Sequence, residues 1–135
     1  MRRIAAVMSL AVIAAWVASG PAAKADTKTY PVFFQPWSAA ISKTASETIA
    51  AAARAALADP STSVIVTGAA DTVGSALANK YMSEARAQVV SDALAADGVA
   101  ASRIKVRASG ATEAPGAAPG SYAQFSRRAL IQVSD

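Results

Sequence analysis

Apolar positions along residues 30–133 switch repeatedly between a two-residue and a helical period, and each switch falls at a proline, glycine or aspartate. Tyr30 to Phe34 is a short β-favouring run closed by Gln35 and Pro36, which predicts a first strand. From Ser38, a residue type suited to capping, Ile41, Ala45, Ile49, Ala52, Ala56 and Leu57 recur at steps of three and four until Asp59-Pro60 stops the helix. Lys43, Glu47 and Arg54 lie on its opposite face. Ser63 to Gly68 is too short for a helix and centres on Val64-Ile65-Val66, apolar on both faces as in a central strand.

A second helix is expected from about Ser75 to Ala96, with Gly98 just past its end, where a left-handed conformation costs glycine little. At roughly 100° per residue, Met82, Ala85, Val89 and Ala93 share one stripe, read as core, and Lys80, Glu84, Gln88 and Ser91 the opposite one. Asn79, Ser83 and Arg86 fall on a strip beside the core stripe. From Arg103 to Ala108, Ile104 and Val106 alternate with Lys105 and Arg107, a half-buried strand. The glycine- and proline-rich stretch Ser109 to Ser121 reads as a loop, and Arg128 to Val133 as the last strand. This order predicts an α/β (α+β) two-layer sandwich, with about two helices packed on a mixed sheet of about four strands.

The first 25 residues stand apart from this pattern. Arg2 and Arg3 precede an apolar run from Ile4 to Val17, and Ala23-Lys24-Ala25 has the small-x-small form of a cleavage site. The run is shorter than the roughly 20 residues a spanning helix needs. Residues 1–25 are therefore expected to be a cleavable secretory signal, and 26–135 a single domain delivered to the periplasm, in association with the wall or the outer membrane.

Removal of that leader changes the electrostatics. Arg2, Arg3 and Lys24 leave with it, so 13 basic residues become 10 against 9 acids, and the net charge falls from +4 to +1. No basic run with interleaved aromatics remains, which excludes nucleic acid as a partner. The chain has no cysteine, hence neither a disulfide framework nor a thiol for a lipid anchor, and no histidine. Nucleophilic triads and the common zinc sites cannot be assembled without them, so no catalytic, metal or cofactor site is expected.

The polar residues around the second helix are the remaining chemistry. Asp71 follows the central strand, Gly74 supplies a turn, and Asn79, Ser83 and Arg86 follow at steps of four and three. An arginine at the margin of a core wants an anionic partner, either Asp71 in a fixed ion pair or a ligand; Asn79 and Ser83 suit bracing of the turn equally well.

These residues resemble the OmpA-like C-terminal domain, the peptidoglycan-binding module also seen in MotB-type and Pal-type proteins. Gly68, Asp71, Gly74, Asn79, Ser83, Arg86 and Ala87 match the spacing of its core motif, with Met82 for a leucine. Val32-Phe33-Phe34, Gly98-Val99 with Arg103-Ile104, Gly110 to Pro115, and Ser126-Arg127-Arg128 resemble its other conserved pieces, in order. The resemblance implies a non-catalytic domain whose ligand is the diaminopimelate side chain of the stem peptide, with an ammonium and a carboxylate on one centre. Asp71 would accept the ammonium and Arg86 clamp the carboxylate, with Asn79, Ser83 and Arg128 contributing further contacts. On this reading, truncating Arg86 should abolish wall binding without unfolding the domain.

The sequence departs from the family pattern at Gln35, where aspartate is usual, at Ala69-Ala70 for histidine-threonine, and at Ser126 for asparagine. Neutral contacts are lost there while the charged pair stays. The alternative function is an accessory that docks on an envelope or membrane protein, through Tyr81, Tyr122, Phe125 and the Ser109 to Ser121 loop.

Overall fold

A computed structural model describes residues 27–111 and 126–135. Strand β1 (Thr27–Phe33) leads to helix α1 (Lys43–Ala58), strand β2 (Ser63–Ala70), helix α2 (Ala76–Ala96), a 3-10 turn at Ala101–Arg103, strand β3 (Ile104–Ala111) and strand β4 (Arg128–Ser134). The sheet order is β1-β4-β2-β3. Strand β4 runs antiparallel to both β1 and β2, whereas β2 and β3 are parallel and joined through α2. This is the expected two-layer sandwich on a mixed sheet. The proposed leader and most of the Ser109 to Ser121 loop lie outside the described residues, as do Tyr122 and Phe125.

Alternation along each strand builds the core. Val32, Val64, Val66, Ala129, Ile131 and Val133 are buried under the helices, which close over them with Ile49, Val90 and Leu94. Burying each of the larger side chains stabilises the fold by roughly 1.5–3 kcal/mol. Alanines 45, 52, 53 and 56 give α1 a narrow inner face, which lets it settle close to the sheet. Both helices start at a serine whose hydroxyl accepts a backbone N–H: Ser42 from Ala45 at 3.1 Å and Ser75 from Ala78 at 3.0 Å. Gly98, at φ +106, ends α2.

Several sequence expectations change. The cap of α1 is Ser42, four residues later than expected, because Ser38 is occupied in a turn: its hydroxyl accepts from Ala40 N and its carbonyl is bound by Arg86. Leu57 and Val106 are 47% and 42% exposed and do not belong to the core. Strand β2 is central, yet the helices cover only one of its faces among the described residues; Ile65 and Thr67 are half-exposed on the other. Ser109 to Ala111 continue β3 rather than opening a loop.

The largest correction concerns α2. Its buried residues are Asn79, Ser83, Arg86, Ala87, Val90 and Leu94, whereas Ala85 is exposed and Met82, Val89 and Ala93 are only half-buried. The inner stripe is the one that carries the polar residues. The polarity of Asn79, Ser83 and Arg86 hides the helical period in the first half of α2, so a hydrophobic pattern sets them beside the core.

Arg103 locks the far end of this layer. Its Nη2 donates to the carbonyls of Ala56, Asp59 and Thr62 at 2.8–3.1 Å and to the Thr62 hydroxyl at 2.8 Å, and its Nε to Thr62 O at 3.1 Å. One guanidinium thus joins the end of α1 to the start of β2.

Candidate functional site

At the opposite end of β2, the chain must pass directly beneath α2. A Cβ on Gly68 would run into the Ser83 carbonyl oxygen and come within 2.9 Å of Ala87 N, so this crossing admits only glycine facing small residues. Beyond Gly68 the pairing with β3 shifts register, and Asp71 leaves the strand. Its Oδ1 accepts from Val73 N at 3.2 Å, forming the first half of a turn. Asn79 closes the other half, donating from Nδ2 to Val73 O at 2.8 Å. Gly74, at φ +87, sits between them.

Ser83 ties the helix to β3: its hydroxyl donates to Lys80 O at 2.7 Å and accepts from Gly110 N at 3.0 Å. Asn79 and Ser83 are 2% and 0% exposed and make bracing bonds. Their positions fix where Asp71 and Arg86 stand.

Arg86 is buried to 1% exposure, and among the described residues it donates three hydrogen bonds, each to a backbone carbonyl. Nε donates to Ser38 O at 2.9 Å, Nη1 to Ala69 O at 3.0 Å and Nη2 to Gln35 O at 3.1 Å. Its guanidinium carbon lies 5.4 Å from the centroid of the Phe34 ring, a cation–π contact. The fork joins the β1–α1 connection to the end of β2. Burial pushes its pKa down to about 10, Asp71 acts to raise it and Arg127 to lower it, so the side chain stays charged at neutral pH.

The ion pair of Asp71 is with Arg127, not Arg86. Arg127 Nη1 lies 3.6 Å from Asp71 Oδ2, with both side chains largely buried. Arg127 is itself positioned by its Nε, which donates to Phe34 O at 3.1 Å, while Phe34 N donates to Arg127 O at 2.8 Å. It also lines a cavity of about 470 Å³ with Phe34, Gln35, Ser42 and Thr48, beside the start of α1. Neither Asp71 nor Arg86 lines that cavity.

The structure therefore gathers Asp71, Asn79, Ser83 and Arg86 at one end of the sheet and adds Arg127, which sequence reasoning passed over. Arg128 pairs with Phe33 and shares the parity of half-exposed Leu130 and Gln132, opposite buried Ala129 and Ile131. The pair of adjacent arginines was visible in the sequence; only the register of β4 tells which one turns toward Asp71. The arrangement is one carboxylate with a largely buried cation beside it and a second, fully buried cation nearby.

The OmpA family's sequence profile matches residues 33–128. Among solved structures, the chain is similar to the peptidoglycan-associated lipoprotein of Burkholderia pseudomallei, with 24% identity over 77% of this chain and 89% of that one, at a TM-score of 0.69. It is similar to the OmpA-like domain of FopA1 from Francisella tularensis subsp. tularensis SCHU S4, with 23% identity over 80% and 72% of the two chains and a TM-score of 0.72. It is also similar to the cell wall anchor of the T6SS from Pseudomonas aeruginosa, with 26% identity over 81% and 82% and a TM-score of 0.63. No curated protein matches it.

Proposed function

The chain belongs to the OmpA family, and from that premise we propose that it is an exported, periplasmic protein that binds peptidoglycan through the diaminopimelate side chain of the stem peptide. The observation that carries this reading is the recessed Asp71 carboxylate, 5% exposed, paired at 3.6 Å with Arg127 and backed by the buried charge of Arg86. At 3.6 Å the pair is longer than a hydrogen bond, and it has the charge pattern of a zwitterion in reverse. A centre bearing an ammonium and a carboxylate replaces one loose ion pair by two close ones: its ammonium meets Asp71 and its carboxylate meets guanidinium N–H groups. Arg86 donates to three carbonyls and brings a fixed positive charge to the recess, and Arg127 supplies the fork beside Asp71 that meets the carboxylate. Arg128, at the head of β4, is assigned to contacts with the outer part of the polymer.

The similarity to a peptidoglycan-associated lipoprotein and to a cell wall anchor supports the same reading. Export rests on the charged start, apolar run and cleavage site of residues 1–25.

The test is sedimentation with insoluble peptidoglycan of the exported protein, its Asp71→Asn and Arg127→Ala forms, with circular dichroism as the control for folding. The parent is expected to pellet and Asp71→Asn to stay in solution. A folded parent that remains in the supernatant overturns the reading. A protein-docking role is favoured in that case by Leu77 and Tyr81, one turn apart on α2 and 60% and 61% exposed.

A further inference from the structure

Trp37 stands at the apex of the turn between β1 and α1 with φ +53, and it is the one non-glycine with positive φ among the described residues. The left-handed region is disfavoured for a bulky side chain. Core packing does not ask for it, since the indole is 46% exposed and lies outside the buried cluster.

Two contacts hold it there. The carbonyls of Gln35 and Ser38, on either side of it, both accept from Arg86. The six-membered part of the indole lies on Gly74 so closely that a Cβ on that glycine would come within 2.6 Å of Cη2 and 3.0 Å of Cζ2. Gly74 ends the turn that begins at Asp71, whose carboxylate holds Val73 N. An exposed indole is thus pinned, on a strained backbone, over the rim of the charged recess. Strain that the surroundings maintain collects at ligand clamps.

We propose that Trp37 is the aromatic platform of this site, taking the aliphatic C–H face of the wall fragment immediately beyond its charged end. This inference rests on the wall-binding reading above. An indole is broad, flat and polarisable, and it needs only two rotatable bonds fixed to present its face. Because the guanidinium of Arg86 holds the carbonyls on both sides of Trp37, the platform and the buried cation keep a fixed relation to each other. A C–H face has two sources in the wall: the methylenes of the stem peptide's diamino acid, and a pyranose ring of the glycan.

The experiment uses protein purified after export, in which Trp37 is the single tryptophan once the leader carrying Trp16 is gone; where the leader is retained, Trp16→Phe restores that condition. Parent, Trp37→Ala and Trp37→Gly are titrated with a soluble disaccharide-tetrapeptide and with the free diaminopimelate-containing tetrapeptide, and each is melted by circular dichroism. Indole fluorescence of the parent is expected to change on binding, and both substitutions to weaken binding roughly tenfold. Trp37→Gly relieves the backbone strain, so its melting midpoint is expected to equal or exceed that of Trp37→Ala. That separates loss of the platform from loss of the fold. Equal losses with both ligands assign the platform to the diamino-acid methylenes; a loss confined to the disaccharide form assigns it to the sugar. Unchanged affinity in both variants overturns the platform and leaves wall binding intact. A parent that binds neither ligand overturns the wall-binding reading and the platform with it.

Discussion

At the scale of single residues, Arg86 and Asp71 do different work although the sequence presents them as a matched pair. A guanidinium at 1% exposure is tolerable because its planar fork meets three carbonyls from two chain segments. Removing it leaves those carbonyls without their donor, and each unmet buried group costs about 1–3 kcal/mol. Arg86→Ala is therefore expected to lower unfolding stability by about 3 kcal/mol, seen as a lower urea midpoint. Arg86→Lys keeps the charge but a single ammonium cannot reach all three carbonyls, so it falls between. Asp71→Asn keeps shape and the bond from Val73 N, and should move the midpoint far less while abolishing wall binding. Because of these bonds, Asp71→Asn rather than Arg86→Ala is the substitution expected to separate binding from stability. The same scale explains why Arg127 was missed. Arg127 and Arg128 are identical in type and adjacent, and only the pairing of Phe33 with Arg128 sets which one faces Asp71.

At the scale of elements, the order, type and approximate limits of both helices and all four strands were legible, because each hydrophobic run is long enough to show its period and each ends at a proline, glycine or aspartate. The face of α2 was not. Its inner stripe begins with Asn79, Ser83 and Arg86, and a pattern built on hydrophobicity rotates away from polar residues even when they are buried. What betrays the true face is the small-residue crossing rather than any apolar signal. Gly68 lies under Ser83 and Ala87, and a methyl group there would overlap the Ser83 carbonyl. Gly68→Ala forces β2 and α2 apart along their whole contact, because the obstacle is backbone and cannot rotate aside. A loss of at least about 3 kcal/mol is expected, measured by thermal or urea unfolding, together with a loss of wall binding that follows unfolding rather than any change in charge. Arg86 and Arg103 clasp opposite ends of β2 through backbone carbonyls, so the strand that delivers Asp71 is held at both ends.

At the scale of the whole molecule, among the described residues the helices cover one face of the sheet and β1 and β3 form its edges. Unpaired edge strands invite pairing with other chains, which matters for a protein proposed to work beside a polymer that concentrates it. The two edges are protected by different means. In β1, Pro31 removes a backbone donor from the middle of the strand. In β3, Lys105 and Arg107 are exposed two residues apart on one face, opposite the helices, and their partners on β2 are Ile65 and Thr67. Two such edges brought together would set four cations side by side. Replacing both with threonine keeps the β-propensity of the strand and removes that repulsion. The Lys105→Thr, Arg107→Thr double variant is therefore expected to fold with an unchanged core yet self-associate in a concentration-dependent way, seen as a rising weight-average mass in sedimentation velocity, while the parent sediments as one species at the same concentrations. Raising the salt should narrow the difference by screening the parent's charges. A double variant that stays at the parent's mass at every concentration would show that the edge is guarded by something other than its cations. Neither substitution touches Asp71, Arg86 or Arg127, so wall binding at low protein concentration should survive in the same variant.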